Sequence, residues 1–190
     1  MNAVVQTEVV RRKTVVIDLQ SLLHMKHAMG IDAINWHGFM EVLRNETGSC
    51  KRVYQTFCTI HPDQYKCGRL ASGLRHDLEA LQGITLLPVE SAGERDDAVV
   101  KKMLHTSASQ SSDVVLVSTD GDIIRDLIWL GQHKKISVHL AATLRDDPKN
   151  NHCSICKSIV SNFIESGLLS FCELASFVHR IGKKTPAYGH

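Results

Sequence analysis

Acidic residues follow two apolar segments of this sequence, at the point where each segment ends. Asp120 and Asp122 come after the run 113–117, and Asp18 follows residues 14–17. Short runs of Val, Ile and Leu predict buried parallel strands, and open α/β sheets bind ligands at the carboxyl ends of their strands. Carboxylates gathered there repel one another unless a hard cation such as Mg²⁺ lies among them. The sequence therefore predicts a metal-dependent site.

A third acidic group, formed by Glu94, Asp96 and Asp97, opens the helical segment between these two strands. Two Mg²⁺ or Mn²⁺ ions can activate a water molecule and neutralise the charge that develops when a phosphodiester is cleaved. We expect the metal ligands to include all three acidic groups, with one or two ions bound. The expected catalytic residues are Asp18, Asp97, Asp120 and Asp122; the further metal ligands are Glu94 and Asp96; the substrate-binding residues are Gln20, Ser118, Thr119 and Lys101.

Each acidic residue also has a purely structural interpretation. Asp122 is placed to cap the helix that follows it, and Asp96 and Asp97 complement a helix dipole without any metal. Asp18 could accept hydrogen bonds from the amides of a turn. The joint placement of these residues, rather than any one of them, predicts the site.

The composition is that of a folded domain with no extreme charge. The chain has 190 residues, 43% of them hydrophobic and 22% charged, and a net charge of +2. Basic doublets recur, and a basic rim around an acidic pocket would suit a polyanionic substrate. No apolar run approaches a membrane span, and six irregularly spaced cysteines without a secretory signal indicate reduced thiols in the cytoplasm. Aromatic residues are too sparse to predict a surface that stacks on bases.

Strand-like and helix-like segments alternate along the chain. This pattern predicts a three-layer α/β fold, with a parallel sheet of about five strands and helices on both faces. We expect a leader at 1–13, the main domain at 14–143, a helical extension at 144–181 and a flexible tail at 182–190. The predicted strands are 14–18, 52–60, 84–89, 113–117 and 135–140, with a late strand near 177–181. The predicted helices include 70–81, and Asn35 is predicted to cap another.

The acidic segments resemble the NYN domain, a family of PIN-like nucleases. Residues 118–123, Ser-Thr-Asp-Gly-Asp-Ile, are similar to the family motif Ser-Gly/Thr-Asp-Gly-Asp-Phe, and the likeness covers roughly residues 13–141. The resemblance implies a metal-dependent nuclease, with RNA a more frequent substrate than DNA. After the first strand the family commonly has Asp-Gly-x-Asn, where this chain has Asp18-Leu19-Gln20-Ser21. Gln20 is expected to replace the asparagine. Glu94-Arg95-Asp96-Asp97 is closer to the Glu-Ala-Asp-Asp of flap nucleases.

Other functions remain open at this point. The same fold without catalysis would be a regulatory module that binds nucleic acid or protein, and the C-terminal helices could hold a second copy or another protein. A phosphatase would need a second aspartate where Gln20 stands. His152, Cys153 and Cys156 could bind zinc with Cys172 or His179, and Asp146 and Asp147 could add ligands to the acidic site, although a solvated turn is the simpler interpretation.

Overall fold

The computed structural model describes residues 11–49, 52–60, 83–89, 96–146 and 154–183. The strands in these ranges are β1 (Lys13–Ile17), β2 (Ala33–Ile34), β3 (Val53–Ile60), β4 (Ile84–Pro88), β5 (Asp113–Val117), β6 (Ser137–Ala142), β7 (Leu144–Arg145), β8 (Ile155–Cys156), β9 (Ser170–Glu173) and β10 (Gly182–Lys183). The helices are α1 (Leu19–Ala28), α2 (Trp36–Glu46), α3 (Asp96–Gln110), α4 (Gly121–His133), α5 (Lys157–Glu165) and α6 (Val178–Ile181), with a 3₁₀ helix at Leu174–Phe177.

Six of the strands form one parallel sheet. Their order is β4-β3-β1-β5-β6-β9, so β1 and β5 are adjacent at its centre. Every residue of these two strands is buried. A strand buried along its whole length has both faces covered, which explains why β1 and β5 read as continuous apolar runs rather than as alternating ones. Two short pairs, β2–β10 and β7–β8, lie outside this sheet.

The predicted fold class is confirmed, and the strand count is six rather than five. The sixth strand, β9, comes from a segment that the sequence suggested was helical. The late strand predicted near 177–181 is wrong, because those residues end a 3₁₀ helix and form α6. Asn35 caps α2 as predicted. The helix predicted at 70–81 lies outside the described residues.

No helix in the described parts of the chain is both long enough and apolar enough to cross a membrane.

A buried polar cluster lies at the amino end of the central strands. Lys13, which the sequence placed in the leader, is the first residue of β1 and is fully buried beside its register partner Asp113. Its ammonium group donates to the backbone oxygens of Arg44 and Thr47 at the end of α2. Carbonyl groups at a helix C-terminus favour a cation, so Lys13 is compensated without water.

His139 of β6 completes this cluster. Its Nε2 lies 3.2 Å from Asp113 Oδ1, which places the proton of the neutral ring on that nitrogen. Burial lowers the pKa of His139, and the carboxylate of Asp113 opposes the shift. Gly48 covers the pair with φ +61°, and a Cβ there would lie 2.6 Å from His139 Nε2. The cluster therefore requires glycine at this turn.

We expect Gly48→Ala to destabilise the protein by about 3 kcal/mol, combining left-handed backbone strain with overpacking. Gly30→Ala is the matched control, because Gly30 has φ +65° but no atom within 4 Å of its Cβ position. It should cost about 1 kcal/mol, from backbone strain alone. Urea unfolding followed by circular dichroism measures both. Equal losses would show that Gly48 makes no close packing contact.

Candidate functional site

The ends of β1 and β5 lie side by side at the carboxyl edge of the sheet. Ile17 is in register with Val117, and the amide of Asp18 donates to the Val117 oxygen at 3.0 Å. The next residues along both strands, Asp18 and Ser118, are therefore neighbours. This is the convergence that the two apolar runs predicted.

The Asp18 carboxylate is buried and held by three donors. Its Oδ2 accepts the hydroxyl of Ser21 at 2.5 Å and the hydroxyl of Ser118 at 2.9 Å. Its Oδ1 accepts the Ser21 amide at 3.2 Å, so Asp18 also caps α1. Such contacts fix the carboxylate in one orientation.

Asp120 is linked to Asp18 through the same hydroxyl. Its amide donates to Ser118 Oγ at 3.0 Å. Its Oδ1 accepts the amides of Asp122 and Ile123, at 2.8 and 3.2 Å, and thereby caps α4. Its Oδ2 accepts no hydrogen bond from the described residues. Asp120 thus combines a structural oxygen with one that is available to a ligand.

Burial and repulsion make this edge electrostatically unfavourable for anions. Burial raises the pKa of Asp18, the charge of Asp120 raises it further, and the hydrogen bonds from Ser21 and Ser118 oppose the shift. Cys58 of β3 is also affected, because burial and then the Asp18 charge raise the pKa of its thiol to about 12. Among the described residues, no lysine, arginine or histidine forms an ion pair with Asp18 or Asp120.

The other acidic candidates are more dispersed. Asp97 is half-buried in the first turn of α3. Asp122 is exposed and ion-paired with Arg125 at 3.0 Å. Asp96 begins α3, but its side chain lies outside the description, as does the whole of Glu94.

The proposed substrate-binding residues have different surroundings. Ser118 is buried within the site, and Thr119 beside it is half-buried. Gln20 is exposed in the first turn of α1, two residues after Asp18. Lys101 lies further away along α3 and faces Asp126 at 3.9 Å.

Ser21 is a residue that sequence reasoning missed. It supplies two of the three donors to Asp18, whereas Gln20, which was expected to replace the asparagine of the family pattern, is exposed. The signal was available, because Asp is a favoured N-cap and its side chain accepts the amide of the second or third helical residue, which here is Ser21.

The number and type of carboxylate ligands at this edge can be compared with those that divalent ions use in proteins. Within the described ranges, no group of three or more Asp, Glu, His or Cys side chains is arranged to hold a metal. Asp18 and Asp120 are two oxygen donors of the chemical type that Mg²⁺ and Mn²⁺ prefer. Because Mg²⁺ often takes one or two carboxylates and keeps several waters, this pair is compatible with such an ion.

The alternative metal ligands give weaker groupings. Cys156 and Cys172 are buried, the Cys156 sulfur lies 3.1 Å from the Ser158 hydroxyl, and burial raises the pKa of the Cys172 thiol to about 12. His179 is exposed, and His152 and Cys153 lie outside the described residues. Asp146 is exposed and pairs with Lys157 at 2.9 Å, while Asp147 also lies outside them. These contacts favour structural roles.

Comparisons with known proteins bear on the fold alone. No protein-family model and no curated protein matches the chain. The structure is similar to the crystal structure of a Vibrio parahaemolyticus protein of unknown function, VPA0982. The TM-score is 0.58 and the identity 15%, covering 87% of this chain and 94% of that one. The likeness supports the α/β architecture.

We expect Asp18→Asn to stabilise the metal-free protein at neutral pH. A carboxyl group whose folded pKa is raised contributes stability below its unfolded pKa and loses it as the pH rises through the folded value. The advantage of the variant over the parent should therefore grow as the pH rises from the unfolded pKa, about 4, through the raised pKa of the folded state. Urea unfolding in EDTA at several pH values measures it.

Asp113→Asn is the matched control, since Asp113 is an equally buried carboxylate that has a histidine partner. It should cost about 3 kcal/mol, because the buried carboxylate that accepts the hydrogen bond of the neutral His139 ring is lost. A loss of stability in Asp18→Asn at pH 7 would contradict the expectation.

Proposed function

We propose that this protein is a metal-dependent nuclease whose centre is the pair Asp18 and Asp120. The observation that carries the proposal is their placement. Two carboxylates follow adjacent central strands and have no cationic partner among the described residues. The Ser118 hydroxyl donates to the Asp18 carboxylate and accepts the backbone amide of Asp120. A fold gains nothing in stability from burying an uncompensated carboxylate beside a second one, so a ligand that compensates the charge is the simplest reason for the arrangement.

Each residue of the proposed site has a distinct role. Ser21 and Ser118 orient Asp18, and Ser118 also fixes the backbone of Asp120. The free Oδ2 of Asp120 and the carboxylate of Asp18 would hold one or two Mg²⁺ or Mn²⁺ ions. Such ions supply an activated water and neutralise charge on the phosphate. Gln20, Thr119 and Lys101 are candidates for contacts with the rest of the substrate.

Additional ligands are proposed from the remaining acidic residues. Asp97 is in the first turn of α3, a helix that packs against β1 and β5, with Glu94 and Asp96 just before it in sequence. Asp122 would act only after it leaves Arg125, which is an exposed and therefore weak pairing.

The resemblance to the NYN domain supports RNA as the substrate. Ser21 occupies the position of the asparagine in the family pattern Asp-Gly-x-Asn, and its contact with Asp18 gives that position a role. The chain therefore departs from the pattern less than its sequence suggests. Cys58 and Cys172 are free thiols, and they fit a reducing compartment such as the cytoplasm.

Cleavage of labelled single-stranded RNA in Mn²⁺ or in EDTA tests the proposal. We expect cleavage in Mn²⁺ only, and a loss of more than about 100-fold in Asp120→Asn, because one ion ligand is removed and the other carboxylate is left without its ion. Glu165→Gln removes the same charge from an exposed position at the end of α5 and should leave the rate unchanged. A parallel DNA substrate tests the preference for RNA.

A second candidate function is a non-catalytic module that binds nucleic acid or protein. It is favoured by the small number of acidic groups at the described edge and by the Asp122–Arg125 pair. RNA binding that persists in EDTA, with no cleavage under any metal condition, would support this function and contradict the nuclease.

A further inference from the structure

Three aromatic rings form a cluster on the solvent side of α3 and α4. Trp129 is 45% exposed, which is unusual for so large an apolar side chain. The ring of His133 stacks on the indole at 4.5 Å with an interplanar angle of 18°, and the ring of His105 lies 5.9 Å away. We refer to His105, Trp129 and His133 as the ring cluster.

Neighbouring residues hold the ring cluster in place. The Nδ1 of His133 lies 2.8 Å from the backbone oxygen of Trp129, so the imidazole is fixed over the indole. His105 and Lys101 both approach the same Asp126 oxygen at 3.9 Å, which joins α3 to α4 beside the tryptophan. A preorganised ring loses little conformational freedom when a planar ligand stacks on it.

The ring cluster is connected to the candidate site by α4 itself. This helix begins directly after Asp120, and Trp129 lies eight residues further along, at a distance of roughly 12 Å from its first residue. The surroundings are basic, since the exposed Lys102 lies on α3 and the exposed Lys134 and Lys135 follow His133. Open rings among cationic side chains are complementary to a strand that has both bases and phosphates.

We propose that the ring cluster binds unpaired bases of a single-stranded nucleic acid whose cleaved phosphate lies at Asp18 and Asp120. This inference rests on the proposed function and specifies its substrate as a single strand. Bases in a duplex are already stacked on each other and cannot lie on an external indole, whereas those of a single strand can. A strand that leaves the site along α4 reaches Trp129 within a few nucleotides.

Binding is measured in EDTA, so that no cleavage is required. The chain has two tryptophans, and Trp36 is buried in the core, so Trp36→Phe leaves Trp129 as the only indole fluorophore. A short single-stranded oligoadenylate is titrated into this variant. The same strand paired with its complement, and polyglutamate, serve as comparisons. The affinity of labelled oligoadenylate is then measured by fluorescence anisotropy for the parent protein and for Trp129→Leu and Trp129→Phe, each with Trp36 unchanged. This second measurement does not depend on the folding of Trp36→Phe.

We expect the single strand to quench Trp129, and the duplex and polyglutamate to leave it unchanged. Trp129→Leu should weaken binding by about 5- to 100-fold, the effect of one lost stacking contact, and Trp129→Phe should recover part of it. Equal affinity of the parent and Trp129→Leu, or binding that leaves the indole unquenched, would overturn the proposal. Equal quenching by polyglutamate would also overturn it and indicate an acidic protein partner.

These results are separable from those for the nuclease. If the protein cleaves RNA but Trp129→Leu binds oligoadenylate as tightly as the parent does, the nuclease proposal is supported and the ring cluster is excluded as a binding surface. If the protein does not cleave RNA but single strands quench the fluorescence of Trp129, the ring cluster is supported as a binding surface and the nuclease proposal is contradicted.

Discussion

The parallel pairing of β1 with β5 determines what lies at both ends of the sheet. These two strands of five residues are in register throughout, so Lys13 meets Asp113 at the amino end and Asp18 meets Ser118 at the carboxyl end. A shift of one residue would separate both pairs and turn apolar side chains to the opposite face. Because both strands are buried along their whole length, a polar end residue that moved inwards would find no other polar partner there. The register is therefore strongly specified.

The two ends differ in how their charges are compensated. At the amino end Asp113 has the ring of His139, and Lys13 has the backbone oxygens at the end of α2. At the carboxyl end, the donors that Asp18 receives from the described residues are hydroxyls and an amide, and the charge among these residues that shifts its pKa is another carboxylate, Asp120. The first end therefore stabilises the fold, while the second costs stability that a ligand could restore. Desolvated acids without counter-charges are typical of functional sites, and this difference is the physical basis of the nuclease proposal.

Much of this arrangement could be predicted from the sequence. Apolar runs located β1 and β5, and the rule for parallel sheets brought Asp18 and Asp120 to one edge. Sequence could not show that Ser170–Glu173 adds a strand, since four residues with one buried position give no clear period. It could not show that Lys13 is buried, because the contact with the end of α2 that helps to compensate its charge is made by residues far away in the sequence. The composition also does not show which residues share a helix face, so it could not reveal the pairing of Asp122 with Arg125 or the two histidine rings beside Trp129.

The central claim is that the edge formed by Asp18 and Asp120 binds a divalent cation. Isothermal titration calorimetry with Mn²⁺, in buffer free of nucleic acid, measures this directly and does not depend on knowing a substrate. The account predicts saturable binding of one or two ions to the parent protein and its disappearance when both aspartates are replaced by asparagine. Identical titration curves for the two proteins, or no saturable binding to the parent, would contradict it.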